Sequence, residues 1–374
     1  MTSSAFLLTI LVGPAVPVPL PRAALDALQE VEVTQATEAE SGFSLKFSID
    51  TKSTLQNLLL VGAQTTPALR VVIVVTIGGQ AQVLMDGVVD RTEMSGGSGG
   101  EVTLTVLGKD LSSAMNRIDK TGLPYPAMPV AVRVLACLAP YAAFGVVPVV
   151  IPPILTVVKS PTSEIPKHKG TDLDYIREMA RETGYVFYVD PGPAPGTSTA
   201  YFGPEIRIGI PQPALTVNSD GFSNVSSVEL SISGTERKIP VLMIQEPKSK
   251  IPLPIPLPSI SLANPPFGIV PPRLAGFEKL EDIGAKSPIE VALKGLATAA
   301  KAADAVSASG TVDPLRYGRL LRARGVVGLR GAGLAFDGLY FVKSVTTTVK
   351  TGSISQKFQL VRNGLVSTVA RVAA

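Results

Sequence analysis

Residues able to do chemistry are sparse in this chain. His168 is the single histidine, and it sits in Pro166-Lys167-His168-Lys169, which reads as a solvated charged loop. One histidine cannot build a multi-histidine metal centre, and a triad would need a serine in a nucleophile context that the sequence does not display. Cys137 is the single cysteine, which excludes an intrachain disulfide and a Cys-based zinc site. Asp172 and Asp174 could pose as a carboxylate dyad, but acids in the first turn of a helix meet the positive end of its dipole and need no catalytic reason. No catalytic residue, metal ligand or cofactor is expected.

Two further segments invite a functional reading. Gly328-Leu329-Arg330-Gly331-Ala332-Gly333 resembles a phosphate-cradling loop at a glance. Such a loop needs a strand before it and a helix N-terminus after it, whereas Leu334 to Val345 reads as more strand, so a turn or bulge is expected. Arg316, Arg319, Arg322, Arg324 and Arg330 form a basic cluster. Nucleic acid would need aromatic side chains for base stacking, and only Tyr317 is nearby. A surface facing an acidic partner or a channel lumen accounts for the arginines as well, and no specific nucleic acid is expected.

The elements that carry these residues show a doubled pattern. Met85-Asp86-Gly87-Val88-Val89-Asp90-Arg91-Thr92 leads through a Gly/Ser loop ending at Gly100 into Glu101-Val102-Thr103-Leu104-Thr105-Val106-Leu107. Phe336-Asp337-Gly338-Leu339-Tyr340-Phe341-Val342-Lys343-Ser344-Val345 leads through Gly352 into the strand pattern from Ile354 to Val361. An Asp-Gly, a β-rich run, a glycine turn and an alternating strand recur in one order. Such internal similarity predicts two copies of one β unit; chance is the alternative, since Asp-Gly and glycine hairpins are common.

Around the first copy, Val31-Glu32-Val33 and Phe43 to Ile49 alternate with period two, and Arg70 to Ile77 is a β-branched run expected to be buried on both faces. Lys109-Asp110-Leu111 opens a short helix through about Ile118. Ala5 to Val12 is apolar but has no basic residue before it, so it reads as a strand rather than a secretory signal. Ala127 to Val158 is apolar too, yet its prolines leave no uninterrupted helix of membrane-spanning length. A buried helix near Pro129 to Tyr141, then extended chain, is expected there.

In the middle, Thr171 caps a helix with Asp174 three residues on, Leu173, Ile176, Met179 and Ala180 line one face, and Gly184 stops it before the strand Tyr185 to Val189. Strand patterns return from Leu215, at Val228 to Ile232 and at Val241 to Gln245. Ile251 to Pro258 alternates with proline and must be extended. An alanine-rich helix is expected over Pro288 to Ser307. With 374 residues, 45% of them hydrophobic and only 17% charged, and a mild net charge of +4, the chain should form two or three domains and bury apolar surface against other chains.

Gly170 to Tyr185 resembles the helix–strand signature of the phage late control gene D family, which holds the baseplate hubs of contractile phage tails and extracellular contractile injection systems. Asp313-Pro314-Leu315-Arg316-Tyr317-Gly318-Arg319, Val326 to Gly333 and Asp337 to Val342 are similar to the C-terminal part of such hubs, which are related to the hub part of type VI spike proteins. Leu104 to Leu111 is similar to the end of their first domain.

The resemblance implies a mainly β fold with an α/β insert. Two tube-like β-barrel domains (residues 1–122 and 213–374, the latter with a Pro-rich and helical insertion at about 247–312) would flank a small α/β module, residues 123–212. It also implies a non-enzymatic homotrimer that adapts a six-fold inner tube to a three-fold spike. Its partners would be inner tube protein, a separate spike polypeptide and other baseplate components. It would assemble in the cytoplasm within a tail-like particle, with no membrane-spanning segment. The alternative from another class is a β-scaffold hydrolase acting on cell wall, which would need paired carboxylates in a cleft.

Overall fold

The computed structural model of the chain describes residues 6–49 (except 15 and 38), 69–96, 102–153, 165–217, 222–233, 238–245, 252–256, 264–279 (except 272), 295–299 (except 297) and 304–369 (except 305). It is mainly β with a few helices, as expected.

The first unit contains β1 (Phe6–Gly13), β2 (Val18–Pro19), the short helix α1 (Arg22–Asp26), β3 (Leu28–Ala36), β4 (Gly42–Ile49), β5 (Arg70–Ile77), β6 (Gln80–Gly96) and β7 (Val102–Asp110). Period-two patterning decides its faces: Phe43, Leu45, Phe47 and Ile49 point into the core while the intervening residues of β4 face away. β5 is buried on nearly every position, as its β-branched run predicts. At one end, buried Arg70 donates from Nε and Nη2 to the two carboxylate oxygens of buried Asp86, at 2.6 Å each. Asp110 then caps a 3-10 turn over Leu111–Asn116 by accepting from the Ser112 N–H at 2.9 Å.

The insert holds α2 (Val130–Leu138), a 3-10 turn over Ala139–Phe144, β8 (Val146–Val150), α3 (Asp172–Thr183), β9 (Val186–Pro191) and β10 (Ser198–Gly203). Thr171 and Asp174 form the capping box of α3, and Gly184, at φ +70°, ends it in the left-handed conformation that favours glycine. Leu173, Ile176, Met179 and Ala180 pack with Val134, Leu138, Val189 and Phe202 in a separate apolar core. Among the described residues, no helix is long and apolar enough to cross a membrane.

The last part holds β11 (Gln212–Thr216), β12 (Val225–Ile232), β13 (Lys238–Gln245), β14 (Pro252–Pro256), β15 (Gly268–Val270), β16 (Gly276–Lys279), β17 (Val306–Val312), the single turn α4 (Pro314–Tyr317), β18 (Val326–Arg330), β19 (Gly338–Lys350), β20 (Ser353–Arg362) and β21 (Leu365–Ser367). The proline-alternating segment is extended, with β14 antiparallel to β13. Alternate residues of a strand turn their N–H groups to opposite edges, so the N–H groups of Leu253 and Ile255 can serve one edge while the prolines leave the other without donors. Most of the helix expected over 288–307 lies outside the described residues; 295–296 and 298–299 are helical. Val306 and Ser307 already belong to β17, paired between β12 and β20, so that helix and the insertion around it end sooner than expected.

The two β units share one strand order. The first runs β3-β4-β7-β6-β5 and the second β12-β17-β20-β19-β18 across the sheet. Bulges recur at matching places: between Leu28 and Glu30 against β4, as between Val225 and Ser227 against β17; and between Val89 and Arg91 against β7, as between Val342 and Ser344 against β20. The outermost strands differ, since β1 is antiparallel to β5 and β11 parallel to β18.

Aligning the bulges puts Asp337-Gly338 two residues away from the counterpart of Asp86-Gly87. The dipeptide that draws the eye to the repeat is therefore not its equivalent point. Asp86 pairs with Arg70, whereas Asp337 accepts from the Ala332 N–H at 2.7 Å in a turn. That turn separates β18 from β19, so strand does not run on directly from Leu334 as expected.

The second half of β19 pairs antiparallel with β3, from Ser344 opposite Ala36 to Lys350 opposite Glu30, and this joins both units in one 13-stranded sheet. The first unit's core is completed by Leu320, Val349 and Ile354 from the second. Asp86→Asn, which leaves a buried guanidinium without its carboxylate, is expected to cost about 3–5 kcal/mol, measured as a lower urea midpoint at unchanged slope.

Candidate functional site

The arginine cluster divides when its side chains are followed outward from the backbone. Arg316, on α4, is exposed and lies 3.6 Å from Asp313. Arg319 is exposed as well. Arg322 is exposed; its N–H donates to the Gln212 amide oxygen and its carbonyl accepts from the Gln212 amide nitrogen, each at 2.9 Å. Its guanidinium lies against the side-chain amide of Gln82, across the two β units. Arg330 is half-buried and donates from Nε to the Thr216 hydroxyl at 2.8 Å, beside the β11–β18 pairing.

Arg324 is the correction to the expected surface: its side chain is only 7% exposed and turns inward. It sits at φ +60°, in the left-handed region, at a tight connection into β18, and its N–H is held by the Val342 carbonyl at 2.9 Å. The guanidinium pairs with Asp190 of the insert and donates to the Ala36 carbonyl of the first unit at 2.5 Å. It also stacks over Tyr188 at 4.3 Å. One side chain from the second unit thus clamps the other two. Desolvation pushes the Asp190 carboxyl up, against the pull of Arg324 and then Arg322. About a third of that side chain (34%) stays open to solvent and the guanidinium touches it directly, so the pair is ionic.

A second tether lies close by. Glu40 accepts from Lys109 of the first unit at 2.8 Å and from Arg177 of α3 at 2.9 Å. Together with Asp110, Ser112, Tyr188 and Arg324, Glu40 and Arg177 line a small cavity of about 230 Å³ where the three cores meet.

The structure also overturns the solvated-loop reading of His168, which is 0% exposed. The segment around it folds back on residues 119–125: the His168 N–H donates to the Leu123 carbonyl at 2.8 Å, and the Gly122 N–H donates to the His168 carbonyl at 2.9 Å. In extended chain neighbours point to opposite sides, so Lys167 and Lys169 face solvent and the histidine between them faces the core. The Lys-His-Lys alternation was the available signal.

Inside, His168 Nδ1 and the Tyr125 hydroxyl share a hydrogen bond at 2.9 Å, and the ring lies against Tyr175 at 4.5 Å. Its Nε2 faces Asp172 Oδ1 at 3.6 Å. Asp172 Oδ2 accepts from Lys120 at 2.5 Å and from the Tyr141 hydroxyl at 2.8 Å.

The sulfur of Cys137 and donor atoms of His168 and Asp172 lie within 4.8 Å of one another, a grouping that sequence reasoning missed. A dication there would have to displace Lys120 from the carboxylate. It would also have to deprotonate a thiol that burial pushes up to about 11. The arrangement is a hydrogen-bonded polar core. It also separates the two acids posed as a dyad, because Asp172 is buried on Lys120 while Asp174 is occupied by the capping box with Thr171. The glycine-rich segment 328–333 is the end of β18 and a turn, not a strand-to-helix cradle.

No protein-family model and no curated protein matches the chain. Solved structures do share its fold. The 43 kDa tail protein of prophage MuSo2 from Shewanella oneidensis aligns with TM-score 0.65 and 12% identity over 96% of this chain and 98% of its own. The tail protein from Neisseria meningitidis MC58 aligns with TM-score 0.61 and 13% identity over 96% of this chain and 97% of its own. VgrG-complex structures from Francisella include one at TM-score 0.57 and 8% identity that covers 99% of this chain and 60% of that one. At these identities the likeness is one of fold.

Arg324→Ala removes an ion pair, a carbonyl contact and a ring contact together, and is expected to cost about 3 kcal/mol in urea unfolding. Arg316→Ala and Arg319→Ala, on exposed side chains, should stay within about 0.5 kcal/mol. Lys109 first and Arg177 next hold the Glu40 carboxyl below its ordinary 4.5. The unfolded chain therefore binds that proton more readily, and the tether's stabilisation is present above the ordinary value and lost as pH falls through the lowered one. Between about pH 6 and about pH 3, the urea midpoint of wild type should fall further than that of Glu40→Gln.

Proposed function

We propose that the chain is a structural, non-enzymatic baseplate hub of a phage tail or contractile injection system: a homotrimer that adapts a six-fold inner tube to a three-fold central spike. The observation that carries this reading is the recurrence of one strand order, with matching bulges, in both halves of the chain. A chain that contributes two equivalent β units gives a six-unit ring from three copies, while the insert and the short strands outside the main sheet are present only three times. Residues 1–122 and 213–374 are the ring units in this reading, and 123–212 the insert.

Proteins whose solved structures share this fold support the assignment. They include prophage tail proteins and an E. coli type VI secretion component described as similar to the T4 tail proteins gp27 and gp5, which aligns at TM-score 0.50 over 93% of this chain. The partners follow from the same reading: inner tube protein above, a separate spike polypeptide below, and other baseplate components around, assembled in the cytoplasm. Exposed Arg316, Arg319 and Arg322 face a partner or the channel.

The test is imaging and mass measurement of the assembled particle. Three copies at the base of the tube are expected; six copies there, or none, would overturn the assignment.

A further inference from the structure

Between β10, which ends at Gly203, and β11, which begins at Gln212, the chain runs through Pro204-Glu205-Ile206-Arg207-Ile208-Gly209-Ile210-Pro211, a stretch that belongs to no sheet. Its side chains nevertheless alternate as those of a strand do. Arg207 turns inward and is buried. It donates from Nη1 to Asp304 Oδ1 at 2.5 Å and from Nε and Nη2 to Glu205 Oε2 at 3.1 and 2.8 Å, and it lies over the Phe341 ring at 4.9 Å. The isoleucines turn outward, with Ile206 40%, Ile208 56% and Ile210 97% exposed. Among the described residues, no backbone N–H or carbonyl of 205–210 is hydrogen-bonded. Three apolar side chains on one side of a segment with a free backbone make a template for one more strand. The anchored Arg207 fixes that template before anything binds, which lowers the ordering cost of binding.

Charge indicates which strand fits. Just past Ile210, the Gln212 side chain brackets the backbone of Arg322, and the Tyr317 hydroxyl donates to the Pro213 carbonyl at 2.7 Å. These bonds bring α4 and the residues after it, with exposed Arg316, Arg319 and Arg322, to that end of the isoleucine stripe. The acids at the segment itself, Glu205 and Asp304, are already taken by Arg207. The stripe is therefore apolar along its length and basic at its Ile210 end.

We propose that the 206–210 segment is a docking strand for an extended segment of a different polypeptide, apolar at alternate positions and acidic where it passes the arginines. A second copy of this chain, itself at net charge +4, is the poorer electrostatic match. The inference deepens the hub reading by giving its exposed arginines a ligand class, and it rests on that reading only for the partner's place in the same particle.

Fluorescence anisotropy of labelled synthetic peptides added to the full chain tests this. The probes alternate valine with threonine and carry a run of aspartates, at the N-terminus in one peptide and at the C-terminus in the other, to cover antiparallel and parallel pairing. One of the two is expected to bind saturably. Replacing its aspartates with lysines, or N-methylating alternate residues on the bonded edge, should weaken binding about tenfold. In the protein, Ile208→Asp should weaken it about tenfold and Arg319→Glu about threefold. Both side chains are exposed, so the urea midpoint should stay unchanged.

No saturable binding by either peptide, equal binding of the lysine peptide, or binding indifferent to Ile208→Asp overturns the proposal. So does an Ile208→Asp chain that loses self-association in native mass measurement while peptide binding is unchanged, because the stripe is then a contact between copies. These outcomes leave the hub reading standing, since it is decided by the copy number at the base of the tube. A chain that binds the acidic peptide but is absent from that base removes the hub reading alone.

Discussion

The backbone hydrogen bonds between β3 and β19 are the constraint on which the rest of the molecule depends. A strand edge left open in an apolar protein invites uncontrolled pairing, and this chain closes one by pairing its own two halves. β19 is long enough to do two jobs on one edge: its first residues hold β18 and its later residues hold β3, while β20 lines the other edge from Phe341 to Lys350. Because Leu320, Val349 and Ile354 complete the first unit's core, the first half has no finished interior without the second.

Polar clamps surround that junction. Thr37 donates its hydroxyl to the Lys343 carbonyl at 2.9 Å, Lys350 lies 3.4 Å from Glu30, and Arg324 reaches across to Ala36 and Asp190. Each constrains the geometry of a contact that apolar surface alone would leave free to slide. Arginine recurs in this role because its planar fork satisfies several acceptors at once and cannot lose its charge. Arg362 is fully buried, and among the described residues no carboxylate lies within ion-pairing reach of it. It donates to the carbonyls of Ala335 at 2.6 Å and Asp337 at 2.9 Å and lies over Tyr340. A chain with few charges thus places several of them inside, where burial costs most and a lost partner is felt most.

The polar core around His168 and Asp172 does comparable work in the insert. It ties the segment before α3 to residues 119–125 and to α2, so the helix leaves its cap in one direction only. With Ser198 donating to Asp86 at 3.3 Å, the insert is anchored to the first unit by a network that continues into the Arg70–Asp86 pair. Rigid placement of the insert against the sheet follows from hydrogen bonds between elements far apart in the chain.

What the sequence determined alone was local. Period two in Phe43 to Ile49, the β-branched run Arg70 to Ile77, the capping box at Thr171 and Asp174 and the stop at Gly184 appear as written, because backbone dihedral preference and the alternation of faces act over a few residues. The doubling was legible too, although Asp-Gly, its most visible mark, was two residues out of register; the bulges that truly correspond leave no residue signature. Tertiary structure decided the rest. His168 and Arg324 read as solvated because their neighbours are charged, yet one extended strand turning its alternate side chain inward, and one left-handed residue aiming a guanidinium at another domain, buried them both. Burial is set by which distant segments arrive, and no window of sequence contains that information.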